Sequence, residues 1–203
     1  MFFSFDGVDG VGKSTQIRLL AEALRQQGRE VVTCRDPGST ALGERLRDIL
    51  LNHHGTPIHR RSEMLLYMAA RAQLVEEVIR PELAAGKTVI SDRYLLANVV
   101  YQAHGGGLSA DDVWEVGRVT VAGVMPRLVF LLDMPAERAA QRINRQPDRM
   151  EAQGLAYLER VRQGFLAEAA LFPDQVAVIN ADQPIEAIHA EVLAAAAQVE
   201  RRV

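Results

Sequence analysis

The stretch GVDGVGKST, from Gly7 to Thr15, constrains the fold more than any other part of the chain. It follows an apolar run, MFFSF, that predicts a strand, and it precedes QIRLLAEALRQQG, whose apolar spacing predicts a helix. The stretch fits the pattern GxxxxGK(S/T), which requires this strand and helix on either side. In such a loop, backbone N–H groups turn inward at a helix N-terminus and hold an anion. The sequence therefore predicts a loop that binds the phosphates of a nucleoside triphosphate, built from Gly7, Val8, Asp9, Gly10, Val11, Gly12, Lys13, Ser14 and Thr15.

Two side chains of this loop have expected roles. Lys13 is expected to reach the β- and γ-phosphates, and the Ser14 hydroxyl to help hold Mg²⁺. The alternative, a chance glycine-rich turn, explains neither the full motif nor its flanking elements.

Four further short apolar or β-branched runs alternate with helical patterns: VVTC at 31–34, TVIS at 88–91, RLVFLL at 127–132 and VAVI at 176–179. This alternation predicts a parallel sheet covered by helices. The expected fold is α/β, a three-layer α/β/α P-loop NTPase with a five-stranded parallel sheet and a short lid insertion. At 203 residues, without repeat or linker, we expect a single domain spanning 1–203.

Composition excludes several classes of protein. No apolar run approaches the roughly 20 residues of a membrane span, and the N-terminus does not resemble a signal peptide. Twenty-three basic and 26 acidic side chains give a net charge of −3, which argues against a nucleic-acid or membrane-surface binder. Cys34 is the only cysteine, so neither an intrachain disulfide nor a cysteine-built metal site is possible. We expect a cytoplasmic protein.

The loop alone does not reveal what happens to the γ-phosphate, because switch GTPases, ATP-driven machines and small-molecule kinases share it. The sequence has no NKxD segment for reading guanine, and a mechanical ATPase usually needs a larger chain. The remaining class is a small phosphotransferase, which requires a second pocket.

Three separated stretches can supply that pocket: RDPGST at 35–40, LLYMAARAQ at 65–73 and SDRYLLANVVYQ at 91–102. Loops at the carboxyl ends of parallel strands converge, so Arg35, Asp92 and Arg93 should lie near Lys13. Asp92 is then a candidate for holding Mg²⁺, with a helix N-cap as the alternative. Arg93 is a candidate for binding phosphate, with a local ion pair as the alternative.

Helical spacing indicates a possible site for a nucleobase. Tyr67 and Arg71, at i and i+4, share a face and could give a base a ring to stack on and a hydrogen-bonding fork. Equally, Tyr67 could be core, and Arg71 could pair with Glu63 or Glu76. Asn98 and Tyr101, at i and i+3, pose the same choice on another helix.

An arginine series lies between Met134 and Gly154. Arg138, Arg142 and Arg145 are spaced for one helical face, and Pro147 should leave Arg149 in a loop. A solvated basic face is the ordinary interpretation. Opposite a phosphate loop, mobile arginines can instead stabilise the charge that develops in phosphoryl transfer. We therefore interpret residues 138–153 as a lid.

Taken together, FDGVDGVGKST, RDPGST, LLYMAARAQLVEEVIRP, SDRY, DRME and NADQPIE resemble the thymidylate kinases over nearly the whole chain. The resemblance implies transfer of the γ-phosphate of ATP to dTMP with Mg²⁺ as cofactor, by an enzyme that is usually a homodimer. Helices 62–85 and 109–122 are the expected contact surfaces of that dimer.

The resemblance also implies roles for particular residues. Tyr67 falls where the family stacks a phenylalanine on thymine. Gly10 replaces an arginine that some members carry in the loop, and members without it use lid arginines. The implied catalytic residues are Lys13, Arg93, Arg142, Arg145 and Arg149, and the implied metal-binding residues are Ser14 and Asp92. The implied dTMP-binding residues are Asp9, Arg35, Pro37, Tyr67, Arg71, Arg93, Asn98, Tyr101 and Gln102. Asn180, Ala181 and Gln183 join the phosphate loop in the implied ATP site.

Four positions depart from the family pattern: Tyr67, Asp36 for the usual Glu, Ser39 for a glycine, and Ala97 where a hydroxyl residue often lies. They bear on base and sugar selectivity rather than on the phosphate chemistry. The rival enzyme is a kinase for another nucleoside monophosphate or for a deoxynucleoside, which needs a carboxylate base. The rival from another class is a nucleotide-dependent switch without a small acceptor.

Overall fold

A five-stranded, fully parallel sheet forms the centre of the molecule, as the sequence predicts. The computed structural model describes residues 1–52, 57–143 and 149–201. The strand order is β2-β3-β1-β4-β5. The strands are β1 (Phe2–Asp6), β2 (Val31–Arg35), β3 (Thr88–Asp92), β4 (Leu128–Asp133) and β5 (Val176–Asn180).

Helical segments connect the strands. In chain order they are α1 (Lys13–Gln26), α2 (Ala41–Leu51), α3 (Arg60–Leu74), a π-helical turn (Val75–Ile79), α4 (Arg80–Ala84), α5 (Leu95–Val99), a second π-helical turn (Val100–Gly105), α6 (Ala110–Val121), α7 (Ala136–Gln141), a 3₁₀ turn (Glu151–Gln153), α8 (Leu155–Leu171) and α9 (Ile185–Glu200). The predicted helix 62–85 thus consists of α3, a π-turn and α4. The π-turn lies just before Pro81, which has no N–H to continue the regular ladder. No helix within the described ranges is both long and apolar enough to cross a membrane.

Alternate residues of β1 pack into opposite layers, as the two-residue period of a strand requires. Phe5 contacts Phe130 of β4 with ring centroids 4.7 Å apart, in a cluster that α1, α8 and α9 complete. Phe2 packs edge-to-face on Tyr94 at 5.1 Å, in a second cluster that α3 and α6 complete. Helices therefore cover both faces of the sheet.

The strands bring their carboxyl ends to one edge of the sheet, where backbone hydrogen bonds tie the loops together. The Asp36 N–H donates to the Asp92 carbonyl at 2.9 Å, and the Arg93 N–H donates to the Phe5 carbonyl at 2.9 Å. The loops after β1, β2 and β3 consequently form one edge, as predicted.

The arginine series is arranged differently from the prediction of one helix. Helix α7 ends at Gln141, and the Arg142 N–H turns back to the Ala139 carbonyl. Arg138 is therefore helical, and Arg142 is the residue that directly follows the helix. Both side chains contact the turn after β5, Arg138 at Asp182 and Arg142 at Ala181. Arg145 lies outside the described residues.

Candidate active site

The phosphate loop depends on glycine at two close approaches. Gly7 has φ +128° and Gly10 has φ +87°, in the region that favours glycine. A Cβ at Gly7 would lie 2.4 Å from the Leu132 carbonyl oxygen, and one at Gly10 would lie 2.1 Å from the Ala139 carbonyl oxygen. Strand β4 and helix α7 thus pack directly on the loop backbone.

Lys13 lies over the loop that precedes it. Its Nζ donates to the Gly7 carbonyl at 3.1 Å, to the Val8 carbonyl at 2.9 Å and to Asp9 Oδ1 at 3.1 Å. The ammonium group is therefore held against the backbone of the phosphate loop. The Ser14 side chain, one residue on, is exposed.

Arg93 joins the phosphate loop to the loop after β3. Its guanidinium donates to the Gly7 carbonyl at 3.0 Å, to Asp9 Oδ1 at 2.8 Å and to the Tyr101 hydroxyl at 3.1 Å. It also lies 4.9 Å from the centroid of the Tyr101 ring. The backbone of Arg93 has φ +66°, a rare conformation for a side chain of this size. These contacts fix the guanidinium at the entrance of the phosphate loop.

The structure bears on the alternative interpretations of Asp92 as a helix N-cap and of Arg93 as part of a local ion pair. Helix α5 begins at Leu95 after Tyr94, so Asp92 is not its N-cap. The carboxylate partner of Arg93 is Asp9 in the phosphate loop rather than a neighbour in sequence. Burial by itself would raise the pKa of Asp9, but the charges and hydrogen bonds of Arg93 and Lys13 hold that pKa well below its usual range.

A cleft of about 310 Å³ opens beside this arginine. Every residue that the sequence predicts for the dTMP pocket lines it: Asp9, Arg35, Pro37, Tyr67, Arg71, Arg93, Asn98, Tyr101 and Gln102. The two predicted metal-binding residues, Ser14 and Asp92, line it as well. Asp36, Arg47, Leu51, Ala97 and Met150 complete the lining. The convergence predicted from strand order is confirmed.

The base end of the cleft has a fully buried arginine. Arg71 is 1% exposed, and its Nε donates to Asp36 at 2.5 Å while another nitrogen donates to Asn98 Oδ1 at 2.9 Å. The alternative pairing of Arg71 with Glu63 or Glu76 is wrong within the described contacts, because Arg149 pairs with Glu63 and Arg80 with Glu76. Tyr67, one turn before Arg71, is half-buried at the cleft rather than enclosed in the core.

The sequence analysis missed Arg47, which lines the cleft together with Arg35 and Arg93. It lies on α2 and donates to the Pro37 carbonyl at 2.9 Å. Burial and the positive charge of Arg35 both lower the pKa of Arg47, so an anion placed between these two side chains would be stabilised. The sequence feature that could have indicated Arg47 is its position on the helix that begins directly after RDPGST.

The residues predicted for the adenine end lie on the opposite side of the phosphate loop. Asn180 ends β5 and accepts from the Asp182 N–H at 2.9 Å, while Gln183 donates to Glu191. Arg142 donates to the carbonyl of Ala181 at 3.5 Å. The beginning of the predicted lid therefore lies against this turn.

Arg149 lies elsewhere, next to Met150 of the cleft lining. Its guanidinium pairs with Glu63 and donates to the Leu50 carbonyl, the latter at 2.7 Å. The structure thus separates Arg142, at the turn after β5, from Arg149, near the cleft.

Asp6, directly before Gly7, was also missed. It is fully buried, and neither carboxylate oxygen has a hydrogen-bond partner among the described residues. Burial raises the pKa of Asp6 to about 7, against the lowering effect of Arg93 and Lys13. A buried acid at this position was visible in the sequence only as the residue that ends the first strand.

We expect Asp6 to make stability depend on pH. Because its pKa is raised in the folded state, the folded protein binds a proton that the unfolded chain has released, and stability falls as pH rises from about 4 to about 7. Relative to the wild type, Asp6→Asn should gain roughly 2–3 kcal/mol between pH 5 and pH 8. Thermal or urea unfolding at both pH values measures this change. Asp111→Asn, at an exposed carboxylate on α6, is the control and should show no such trend.

The protein oxygens present suit Mg²⁺. The described residues contain no cluster of three or more His, Cys, Asp or Glu side chains. Mg²⁺ typically takes one or two protein oxygens and completes its shell with water and substrate phosphates. Ser14, with a hydroxyl, and Asp92, with a carboxylate, line the same cleft and supply that donor set.

The phosphate loop and the arginine-lined cleft lie at the same edge of a parallel sheet. This arrangement defines a P-loop kinase that acts on a small acceptor. The thymidylate kinase family model matches residues 5–192. Two thymidylate kinases are similar in sequence. That of Rhodopirellula baltica is 50% identical over 95% of this chain and 78% of its own, and that of Kosmotoga olearia is 42% identical over 95% and 93%. The crystal structure of thymidylate kinase from Ehrlichia chaffeensis has a TM-score of 0.78 at 30% identity, covering 96% of this chain and 97% of its own.

The chain belongs to the thymidylate kinase family. It is therefore an enzyme, a phosphotransferase that converts ATP and dTMP into ADP and dTDP in the synthesis of dTTP. The family resemblance seen in the sequence is confirmed.

Proposed function

We propose that dTMP binds in the described cleft, with its base at Tyr67 and Arg71 and its phosphate among Arg35, Arg47 and Arg93. The observation that carries this proposal is that one cleft is lined by the half-buried ring of Tyr67, by the buried guanidinium of Arg71 and by three further arginines, Arg35, Arg47 and Arg93. ATP would lie on the other side of the phosphate loop, with its adenine near Asn180, Ala181 and Gln183.

The chemistry needs no general base. A phosphate monoester has a second pKa of roughly 6, so the acceptor is largely a dianion near neutral pH and is already nucleophilic. Asp9 is a carboxylate in the phosphate loop. Lys13 and Arg93 both donate to its Oδ1 and hold its pKa far below that of an effective base. This argues against Asp9 as the base that a nucleoside kinase would need to remove a proton from a hydroxyl.

Catalysis is then alignment and charge neutralisation. Arg93 orients the acceptor phosphate, and Lys13 stabilises charge on the donor phosphates. When bound through Ser14 and Asp92, Mg²⁺ supplies charge neutralisation between the donor phosphates. Arg142, Arg145 and Arg149 are the proposed lid arginines that stabilise charge on the transferring group. The proposal places the enzyme in the cytoplasm, because ATP is an intracellular donor.

The base-free mechanism is tested by comparing dTMP with thymidine and by a pH profile. We expect kcat/KM with dTMP to rise to a plateau with an apparent pKa near 6, from the second ionisation of dTMP. Thymidine should give no product above background, with dTDP and dTMP identified by mass. Comparable turnover of thymidine would contradict the mechanism and reveal a base.

We propose further that this enzyme has its transition-state arginines in the lid, within one domain spanning 1–203 and a lid at about 138–153. The support is the contact of Gly10 with α7, since a Cβ at Gly10 would meet the Ala139 carbonyl oxygen at 2.1 Å. An arginine in the loop at this position and the observed packing of α7 therefore exclude each other.

Gly10→Ala should accordingly be more destabilising than its backbone angle alone predicts. Gly28 has a similar φ, +82° against +87°, but nothing lies within 4 Å of a Cβ there. Both exchanges lose roughly 1 kcal/mol from the left-handed conformation, and Gly10→Ala should lose about 1–3 kcal/mol more from the clash. Thermal unfolding of the two variants measures the difference. Equal losses would show that α7 moves away at little cost.

We propose that the active form is a homodimer. Four apolar side chains are exposed on three helices that pack side by side: Leu42 and Ile49 on α2, Leu65 on α3 and Val119 on α6, the last 82% exposed. Exposed apolar side chains on neighbouring helices are typical of an interface. It includes parts of both predicted contact surfaces, 62–85 and 109–122.

The dimer is tested by light scattering after gel filtration. The wild type should run at twice the chain mass of 22.4 kDa, and Leu65→Asp with Val119→Asp should run as a monomer. Leu171→Asp, at an exposed leucine on α8, is the control and should stay dimeric. A monomeric wild type would contradict the proposal.

A further inference from the structure

A continuous chain of side-chain hydrogen bonds leads from the base end of the cleft to a residue outside it. Arg71 donates to Asn98 Oδ1 at 2.9 Å, Asn98 Nδ2 donates to Gln102 Oε1 at 2.6 Å, and Gln102 Nε2 donates to Glu63 Oε1 at 2.9 Å. The other oxygen of Glu63 accepts from Arg149. Glu63 is 4% exposed and does not line the cleft.

The two ends of this chain determine how both amides face. A guanidinium only donates and a carboxylate only accepts. Asn98 must therefore turn its oxygen toward Arg71, and Gln102 must turn its nitrogen toward Glu63. A flip of either amide would set donor against donor or acceptor against acceptor in a buried site, which is costly.

This orientation has a consequence for the base. The cleft presents a donor, Arg71, beside an acceptor, Asn98 Oδ1. Thymine carries a complementary pair, the O4 acceptor and the N3–H donor. Cytosine carries the opposite pair, an amino donor at C4 and an acceptor at N3.

We propose that Glu63 is a positioning residue for base selection, which acts through Gln102 to hold the Asn98 oxygen toward the base. The inference rests on the proposed binding of dTMP in this cleft. Glu63 touches no substrate. Its carboxylate is the fixed acceptor that keeps Gln102 from rotating, and without it Gln102 Nε2 is left buried with no acceptor. A rotated Gln102 would set a donor against Asn98 Nδ2, so that Arg71 alone would hold Asn98.

The test is the ratio of kcat/KM for dTMP to kcat/KM for dCMP. Glu63→Met keeps the length of the side chain and removes the acceptor, and it should lower this ratio about tenfold as Gln102 loses its orientation and Asn98 loses the support of Gln102. Glu63→Gln keeps an oxygen for Gln102 and should restore the ratio to within about threefold of the wild type. Glu77→Met, at an exposed glutamate on the same helical segment, is the control with an unchanged ratio.

A folded Glu63→Met enzyme with the wild-type ratio would overturn the inference, as would a tenfold loss in Glu63→Gln. If Glu63→Met does not fold, Gln102→Met breaks the same chain one residue nearer the base, and an unchanged ratio there overturns the inference equally. A wild-type protein that does not turn over dTMP contradicts the proposed function itself. An active wild type with an insensitive ratio contradicts only the role of Glu63.

Discussion

Replacing Arg93 with methionine is expected to lower kcat/KM for dTMP by roughly 10³-fold. Its guanidinium is held by Gly7, Asp9 and Tyr101 at the point where the phosphate loop meets the acceptor cleft. No other described side chain contacts both the loop backbone and Tyr101 in this way. Methionine fills a similar space without the charge, so the loss should come from misaligned phosphates rather than from packing. Steady-state kinetics with dTMP and Mg-ATP measure it.

The control for Arg93→Met is Arg118→Met, at an exposed arginine on α6 that lines no part of the cleft. It should retain wild-type kinetics. Circular dichroism and thermal unfolding of both variants separate a catalytic loss from a folding defect. A folded Arg93→Met enzyme within about tenfold of the wild type would show that Arg35 and Arg47 suffice to hold the acceptor.

The second large effect is expected for Arg149→Ala, which should lower kcat by roughly 10³-fold while KM for dTMP changes little. An arginine that acts on the transferring group stabilises the transition state and contributes little to ground-state binding. In the structure Arg149 is bonded to Glu63 and to the Leu50 carbonyl. The proposed role therefore requires its guanidinium to leave these partners when the lid closes.

The kinetic pattern of Arg149→Ala distinguishes that role from its position in the structure. If kcat and dTMP affinity fall together, Arg149 supports binding of dTMP through its contacts with Glu63 and Leu50 and is not a transition-state residue. Arg138→Ala is the matched control, because Arg138 pairs with Asp182 in the turn after β5 and is largely exposed. It should change kcat far less.

The sequence predicted those features that depend on local chemistry and strand order. The phosphate motif needs its strand and helix, and each predicted strand formed within about one residue of its expected bounds. Parallel strands bring their carboxyl ends together, so Arg35, Asp92 and Arg93 could be placed beside the loop before any coordinates. The cleft lining confirmed that placement.

What the sequence could not give were contacts between residues distant in the chain. Glu63 and Gln102 are 39 positions apart, and Arg71, for which the sequence left open a pairing with Glu63 or Glu76, is bound to Asp36, 35 positions away. Helical spacing compares only residues of one element, whereas this partner is a buried carboxylate on another loop that only the fold brings close. Arg47 was missed because only folding of the RDPGST loop brings it to the cleft.

The central claim is that the described cleft delivers dTMP to the γ-phosphate of ATP. The most direct measurement is ADP formation from Mg-ATP with dTMP, dUMP, UMP, dCMP, AMP or no acceptor, with each product identified by mass. The account predicts rapid turnover with dTMP, dTDP equal in amount to ADP, and only slow ATP hydrolysis without an acceptor. Faster turnover of another monophosphate would contradict the assignment of Tyr67 and Arg71 to thymine, and ADP formation that no acceptor stimulates would contradict the kinase mechanism itself.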